Sequence, residues 1–173
     1  MLFALLYFLD GSGFVSAMVP AVLVHELGHI LALRICRCRI KRVSITLFGV
    51  ELDYAPQIDG IGAVFAFLSG PLLGTVFAVA SCSLDGAFWR MSGTLSFLLS
   101  LFNCLPILPL DGGRTIAALL PRRQAGRISS VCAFLLLFFC IAVSFRFNML
   151  PQTLMSFWLV CCNLRSSFLS PSD

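Results

Sequence analysis

The sequence predicts an all-α polytopic membrane protein of about six transmembrane helices, with a small membrane-associated β-hairpin near its functional site. Three observations carry this reading. Of 173 residues, 59% are apolar and only 12% charged, a balance that a soluble core of this size does not require. Nearly charge-free stretches lie at 14–33, 61–81, 91–110, 128–145 and 151–164, each close to the ~20 residues a helix needs to cross ~30 Å of hydrocarbon. The basic residues, finally, are distributed by side.

A short apolar run, 1–9, opens the chain and is too brief to span alone, so it is expected either to join an irregular pair with 14–33 or to lack an upstream portion. A cleavable signal over 1–17 is the rival reading. It lacks a basic start, and cutting after Ala17 would leave the next motif almost at the new terminus. After the first full span comes a basic loop, Arg34 to Arg42, and then Val43 to Tyr54, where apolar and polar residues alternate on either side of Gly49. This is a hairpin pattern. Extended backbone at membrane depth survives only when buried in protein or lining a wet cavity, so the hairpin, 43–54, hints at an internal aqueous site. Near the end of the fourth long stretch, Pro106 and Pro109 remove helix donors and Asp111-Gly112-Gly113 permits a turn, so the helix is expected to break there. No linker, repeat or low-complexity segment divides the sequence, and residues 1–173 read as a single domain.

The net charge of +4 does not indicate nucleic acid, because of where it sits. With six crossings, one side holds Arg34, Arg37, Arg39, Lys41, Arg42, Arg114, Arg122, Arg123, Arg127 and Arg165, and the other only Arg90 and Arg146. That asymmetry places both termini in the cytoplasm, and adding or dropping an internal span would scatter the basic residues over both faces. The eight cysteines fall mostly in apolar segments, where cysteine acts as a small hydrophobe, and no disulfide framework is expected. Cys36 and Cys38 read as two reduced thiols of the basic loop.

Within a span of Val, Leu, Ala and Ile stands His25-Glu26-Leu27-Gly28-His29. Histidines four apart share a helix face, so both imidazoles can reach one ion, and the intervening Glu26 lies near enough to polarise a water there. Charged forms of such residues at mid-membrane cost on the order of 2.5 kcal/mol or more each, which argues for a use beyond gluing helices together. These are also the only two histidines in the chain. A catalytic zinc commonly takes three protein ligands. Asp10 and Asp85 fall on the far side, Asp173 at the terminus, and Asp59 before a glycine reads as turn chemistry. Glu51 competes, since soluble zinc proteases often take a downstream Glu, but it belongs to the hairpin. Asp111 fits on depth: His29 lies about four residues, roughly 6 Å, from the cytoplasmic end of its span, and Asp111 lies three residues before Arg114 on the same side. The alternative is that Asp111 pairs with Arg114 or caps a helix over Thr115 to Leu120.

His25-Glu26-Leu27-Gly28-His29 together with Asn103-Cys104-Leu105-Pro106-Ile107-Leu108-Pro109-Leu110-Asp111-Gly112-Gly113-Arg114 resembles the paired signatures of the site-2 proteases, the intramembrane metalloproteases. The resemblance covers most of the chain, including Phe48-Gly49 and Ser69-Gly70-Pro71, and is nearest the sporulation branch that releases a membrane-tethered pro-sigma factor. It implies Zn2+ held by His25, His29 and Asp111, Glu26 as general base and acid, and Asn103 as a polar group near the substrate or at a helix contact. At Ser69-Gly70-Pro71 the match is partial. Many relatives carry Asn a few residues beyond the proline, whereas Leu72, Leu73 and Gly74 follow here, and the segment before His25 is short.

The expected activity is therefore hydrolysis of a peptide bond within or beside the membrane segment of a membrane-tethered protein. The expected location is a bacterial-type cytoplasmic membrane, with the active site near the cytoplasmic side. Partners are the substrate, the lipid bilayer and membrane regulatory proteins, with no nucleic acid. Zinc would bring the pKa of its water toward ~7 and Glu26 would take the proton. A zinc transporter would line its path with more polar residues than these spans hold, and a non-catalytic scaffold has no need of Glu26.

Overall fold

The computed structural model describes the backbone of residues 13–46, 49–55, 60–147 and 156–164, and the side chains of these except 39–55 and 145–147. The chain divides into two compact units, Met1–Asn103 and Cys104–Asp173.

The first unit contains α1 (Phe14–Ile35), β1 (Arg39–Thr46), β2 (Gly49–Ala55), α2 (Gly60–Ser81) and α3 (Ala87–Asn103). The three helices pack pairwise on one another. Their contact faces are built from small residues: Ala17, Ala21, Gly28 and Ala32 on α1, Ala63, Ala66, Gly70, Gly74 and Ala78 on α2, and Ser92, Gly93, Ser96 and Ser100 on α3. The large side chains turn outward, with Leu23, Leu27, Leu31 and Ile35 recurring every fourth residue along the exposed face of α1. This inverts the soluble pattern. In lipid, burying a leucine between helices gains little over leaving it in acyl chains, whereas small residues let backbones approach and hydrogen-bond. Ser96 does so across the interface, its hydroxyl donating to Gly74 O at 2.9 Å.

α1 closes in a Schellman turn. Arg37 takes the left-handed conformation at φ 58°, Cys38 N donates to Leu33 O at 2.9 Å, and Arg37 N donates to Arg34 O at 3.0 Å. The apolar contact that accompanies such turns is Cys38 on Leu33, joined by Ala32 and Ala66. Cys38 is thus a buried packing residue. The turn delivers the chain into β1, which pairs antiparallel with β2 from Arg39↔Ala55 to Thr46↔Gly49, with an irregularity between Ile40 and Arg42. The pairing starts four residues earlier than the alternation 43–54 foretold, because β1 takes in the basic residues of the loop.

The second unit contains α4 (Asp111–Leu119), α5 (Arg122–Phe147) and a helical segment α6 over 156–164. Ile107, Ala133 and Val160 form its core, with Leu105, Leu110 and Leu136 packed against them. α5 starts directly after Pro121, whose carbonyl accepts from Gln124 N at 2.8 Å, and its first turns carry Arg122, Arg123 and Arg127 ahead of the apolar part.

Among the described residues three helices are long and apolar enough to cross a membrane: Phe14–Ile35, Gly60–Ser81 and Arg122–Ser144. The stretch 91–110 is corrected. Its helix ends at Asn103, since Pro106 has no N–H for the next turn, and the chain continues as a loop to Leu110. The opening run 1–9 and part of 151–164 lie outside the described residues.

Candidate metal centre

In the first unit, one helical turn brings His25 and His29 together. Their Nε2 atoms are 3.3 Å apart, with the rings edge-on at 77° and centroids 5.0 Å apart. His25 is buried at 4% exposure and His29 half-buried. The second nitrogen of His29 is fixed from α2, where Nδ1 lies 2.8 Å from Ala66 O. A carbonyl only accepts, so Nδ1 carries the proton and the Nε2 lone pair faces His25. Ser69 Oγ donates to the same carbonyl at 2.8 Å.

Two glycines make this seat possible. A Cβ at Gly70 would overlap the His29 imidazole, and a Cβ at Gly28 would run into the backbone of Ser69 and Gly70. α1 and α2 therefore approach closely at the level of the histidines. Two bonds of about 2.0–2.1 Å meeting at a tetrahedral angle hold their nitrogens about 3.3 Å apart. The observed separation fits one zinc ion. Glu26 follows His25 on α1 and is half-buried.

In the second unit, Asp111 is 8% exposed and is the first residue of α4, whose N-cap is Leu110. The cap reading is thereby corrected: the helix begins at Asp111 itself, four residues before Thr115, and Thr115 Oγ1 donates back to Asp111 O at 2.8 Å. Gly112 and Gly113 let the loop 104–110 lie against this first turn, since a Cβ at Gly112 would meet the Cys104 and Leu105 carbonyls and one at Gly113 the backbone of Ile107. A carboxylate in the first turn also sits at the positive end of the helix. Asn103, half-buried at the end of α3, donates its Nδ2 to Leu99 O at 3.0 Å. The side chains of Glu51 and Asp59 lie outside the described residues.

Sequence reasoning missed the Ala66 carbonyl, the group that orients His29, because a backbone acceptor leaves no mark on residue type. The available signal was the small residue Gly70 in an apolar span, which a close backbone approach requires.

Residues 68–145 match the family model described as Peptidase family M50. The chain is 31% identical over 140 residues to the zinc metalloprotease homologue Rip3 of Mycobacterium tuberculosis, in both the Erdman and H37Rv strains, across 72% of this chain and 35% of the relative. It is 26% identical over 119 residues to the zinc metalloprotease homologue sll0528 of Synechocystis, across 62% of this chain and 31% of the relative. It thus spans about a third of the length of these curated relatives. Among solved structures it is similar to the site-2 protease from Methanocaldococcus jannaschii, with a TM-score of 0.67 at 18% identity over 99% of this chain and 87% of that one, a likeness of fold. The zinc metalloprotease relatives and the imidazole and carboxylate donors described above support Zn2+ as the metal. Residues 68–145 are thus similar to Peptidase family M50, and the chain shares the fold of the archaeal site-2 protease.

Proposed function

We propose that the chain is an intramembrane zinc endopeptidase in which His25, His29 and Asp111 hold the metal and Glu26 moves the proton. The observation that carries this reading is the 3.3 Å approach of the two Nε2 atoms on an apolar helix, Phe14–Ile35, long enough to cross a membrane. His29 is held by Ala66 O in the tautomer a metal needs. Asp111 supplies the negative charge that offsets the cation. Zinc, when bound, supplies Lewis acidity toward the scissile carbonyl. Glu26 accepts the proton of the attacking water and returns it to the leaving amine. Asn103 keeps one amide group tied to its own helix, and its side-chain oxygen is the atom that would meet a substrate backbone N–H.

The substrate is a membrane-tethered protein, extended rather than helical at the cleavage point, because a helix engages its own carbonyls. The β1–β2 pair would sit at the cytoplasmic membrane surface and offer an edge to such a strand. On this reading the chain crosses the membrane about six times with both ends in the cytoplasm, works as one protease domain, and reaches water from the cytoplasmic side. Release of a pro-sigma factor, the sporulation role, is the finer assignment that the paired motifs favour, with membrane regulatory proteins controlling access.

The test is cleavage of a membrane-tethered reporter by purified protein. Turnover should stop with a chelator, return with zinc and fall at least about a hundredfold in Glu26→Gln. Cleavage by the Gln variant at the wild-type rate would refute the assignment.

A further inference from the structure

The loop that precedes Asp111 has few backbone hydrogen bonds. Ile107 N and Leu110 N bond within it, at 2.7 Å to Leu105 O and 2.8 Å to Ile107 O, while Pro106 and Pro109 have no N–H at all. Leu108 N leaves the loop and donates to Ser129 Oγ on α5 at 2.7 Å. Asn163 Nδ2 on α6 donates to that same oxygen, and Ser130 Oγ on α5 donates to Asn163 Oδ1 at 2.8 Å. Ser129 and Asn163 are each only 2% exposed. A carboxamide so deep beside the apolar core of Ile107, Ala133 and Val160 is costly unless its hydrogen bonds are met. Here they are met by two serines of one helix, one of which also holds the loop.

From this arrangement we propose that Ser129 and Asn163 are positioning residues: they pin the loop at Leu108 and thereby set where Asp111, three residues on, presents its carboxylate. The inference rests on the reading of Asp111 as a metal ligand. Asn163 orients Ser129 by donating to its oxygen, and Ser130 fixes the orientation of the Asn163 amide. Packing alone needs no such chain, since leucine on α6 would fill the space.

Two readouts on the full-length protein in detergent test the proposal. In zinc-free protein, amide exchange over 105–110 reports only Leu105, Ile107, Leu108 and Leu110. Ser129→Ala and Asn163→Ala should each speed exchange of the Leu108 amide at least about tenfold, and Ser129→Thr, which keeps the hydroxyl, should not. Zinc affinity, measured by chelator competition, should fall about tenfold in both alanine variants, in line with the loss of an outer partner of a ligand, and recover in Ser129→Thr. Unchanged exchange would show that the pin does not hold the loop. Faster exchange with wild-type zinc affinity would show that it holds the loop without positioning Asp111, and either result overturns the inference. A wild-type protein that takes up no zinc would overturn the metal reading itself, and is told apart because it appears before any substitution is made.

Discussion

At the scale of single residues the account turns on which atoms carry protons and which carry lone pairs. His29 Nδ1 is held by Ala66 O, which leaves the Nε2 lone pair open to a metal. Glu26→Gln should retain zinc, measured by metal analysis, and lose about 10²–10⁴-fold in turnover, the range for removal of a general base. Asp111→Asn should weaken zinc binding by more than the ~10–100-fold typical of an outer partner and abolish cleavage. If Glu51→Gln removed the metal and Asp111→Asn did not, the third ligand would instead come from β2. The histidines and Glu26 were legible in the sequence because polar residues stand out in an apolar span. The Ala66 carbonyl and the Ser129–Asn163 link were not, because one is backbone and the other joins α5 to α6 through a contact that no local pattern encodes.

At the scale of elements, small side chains set how closely helices approach. Gly70→Ala should force the His29 ring or α2 to move, costing about 1–3 kcal/mol as overpacking does. Denaturation and zinc titration should both register it, whereas Gly126→Ala, with nothing within 4 Å of the added carbon and no positive φ, should leave zinc affinity unchanged. Arg37→Gly should relieve a left-handed residue and raise stability by up to about 1 kcal/mol, read as a higher unfolding midpoint. Proline at alternate positions of β2 should impair cleavage without lowering zinc content if substrate adds to that edge, and unchanged turnover would retire the idea. The apolar stretches 14–33, 61–81 and 128–145 and the break before Asp111 were readable from hydropathy and from Pro106 and Pro109. The apolar stretch 91–110 outruns its helix, which ends at Asn103, because a loop packed into the core through Ile107 has the same hydropathy as a helix. The Schellman turn at Arg37 was hidden because the residue in the left-handed position is not glycine.

At the scale of the whole molecule, the uneven distribution of the basic residues predicts that tags on both termini are reached from the cytoplasm, and a terminus accessible only from outside would require a different number of crossings. The central claim concerns the metal, and zinc K-edge X-ray absorption on the purified wild-type protein tests it most directly. The account predicts a shell of nitrogen and oxygen donors at about 2.0–2.2 Å, with the outer scattering of two imidazoles. Sulfur at about 2.3 Å, the signature of cysteine ligation, or scattering from fewer than two imidazoles, would contradict it.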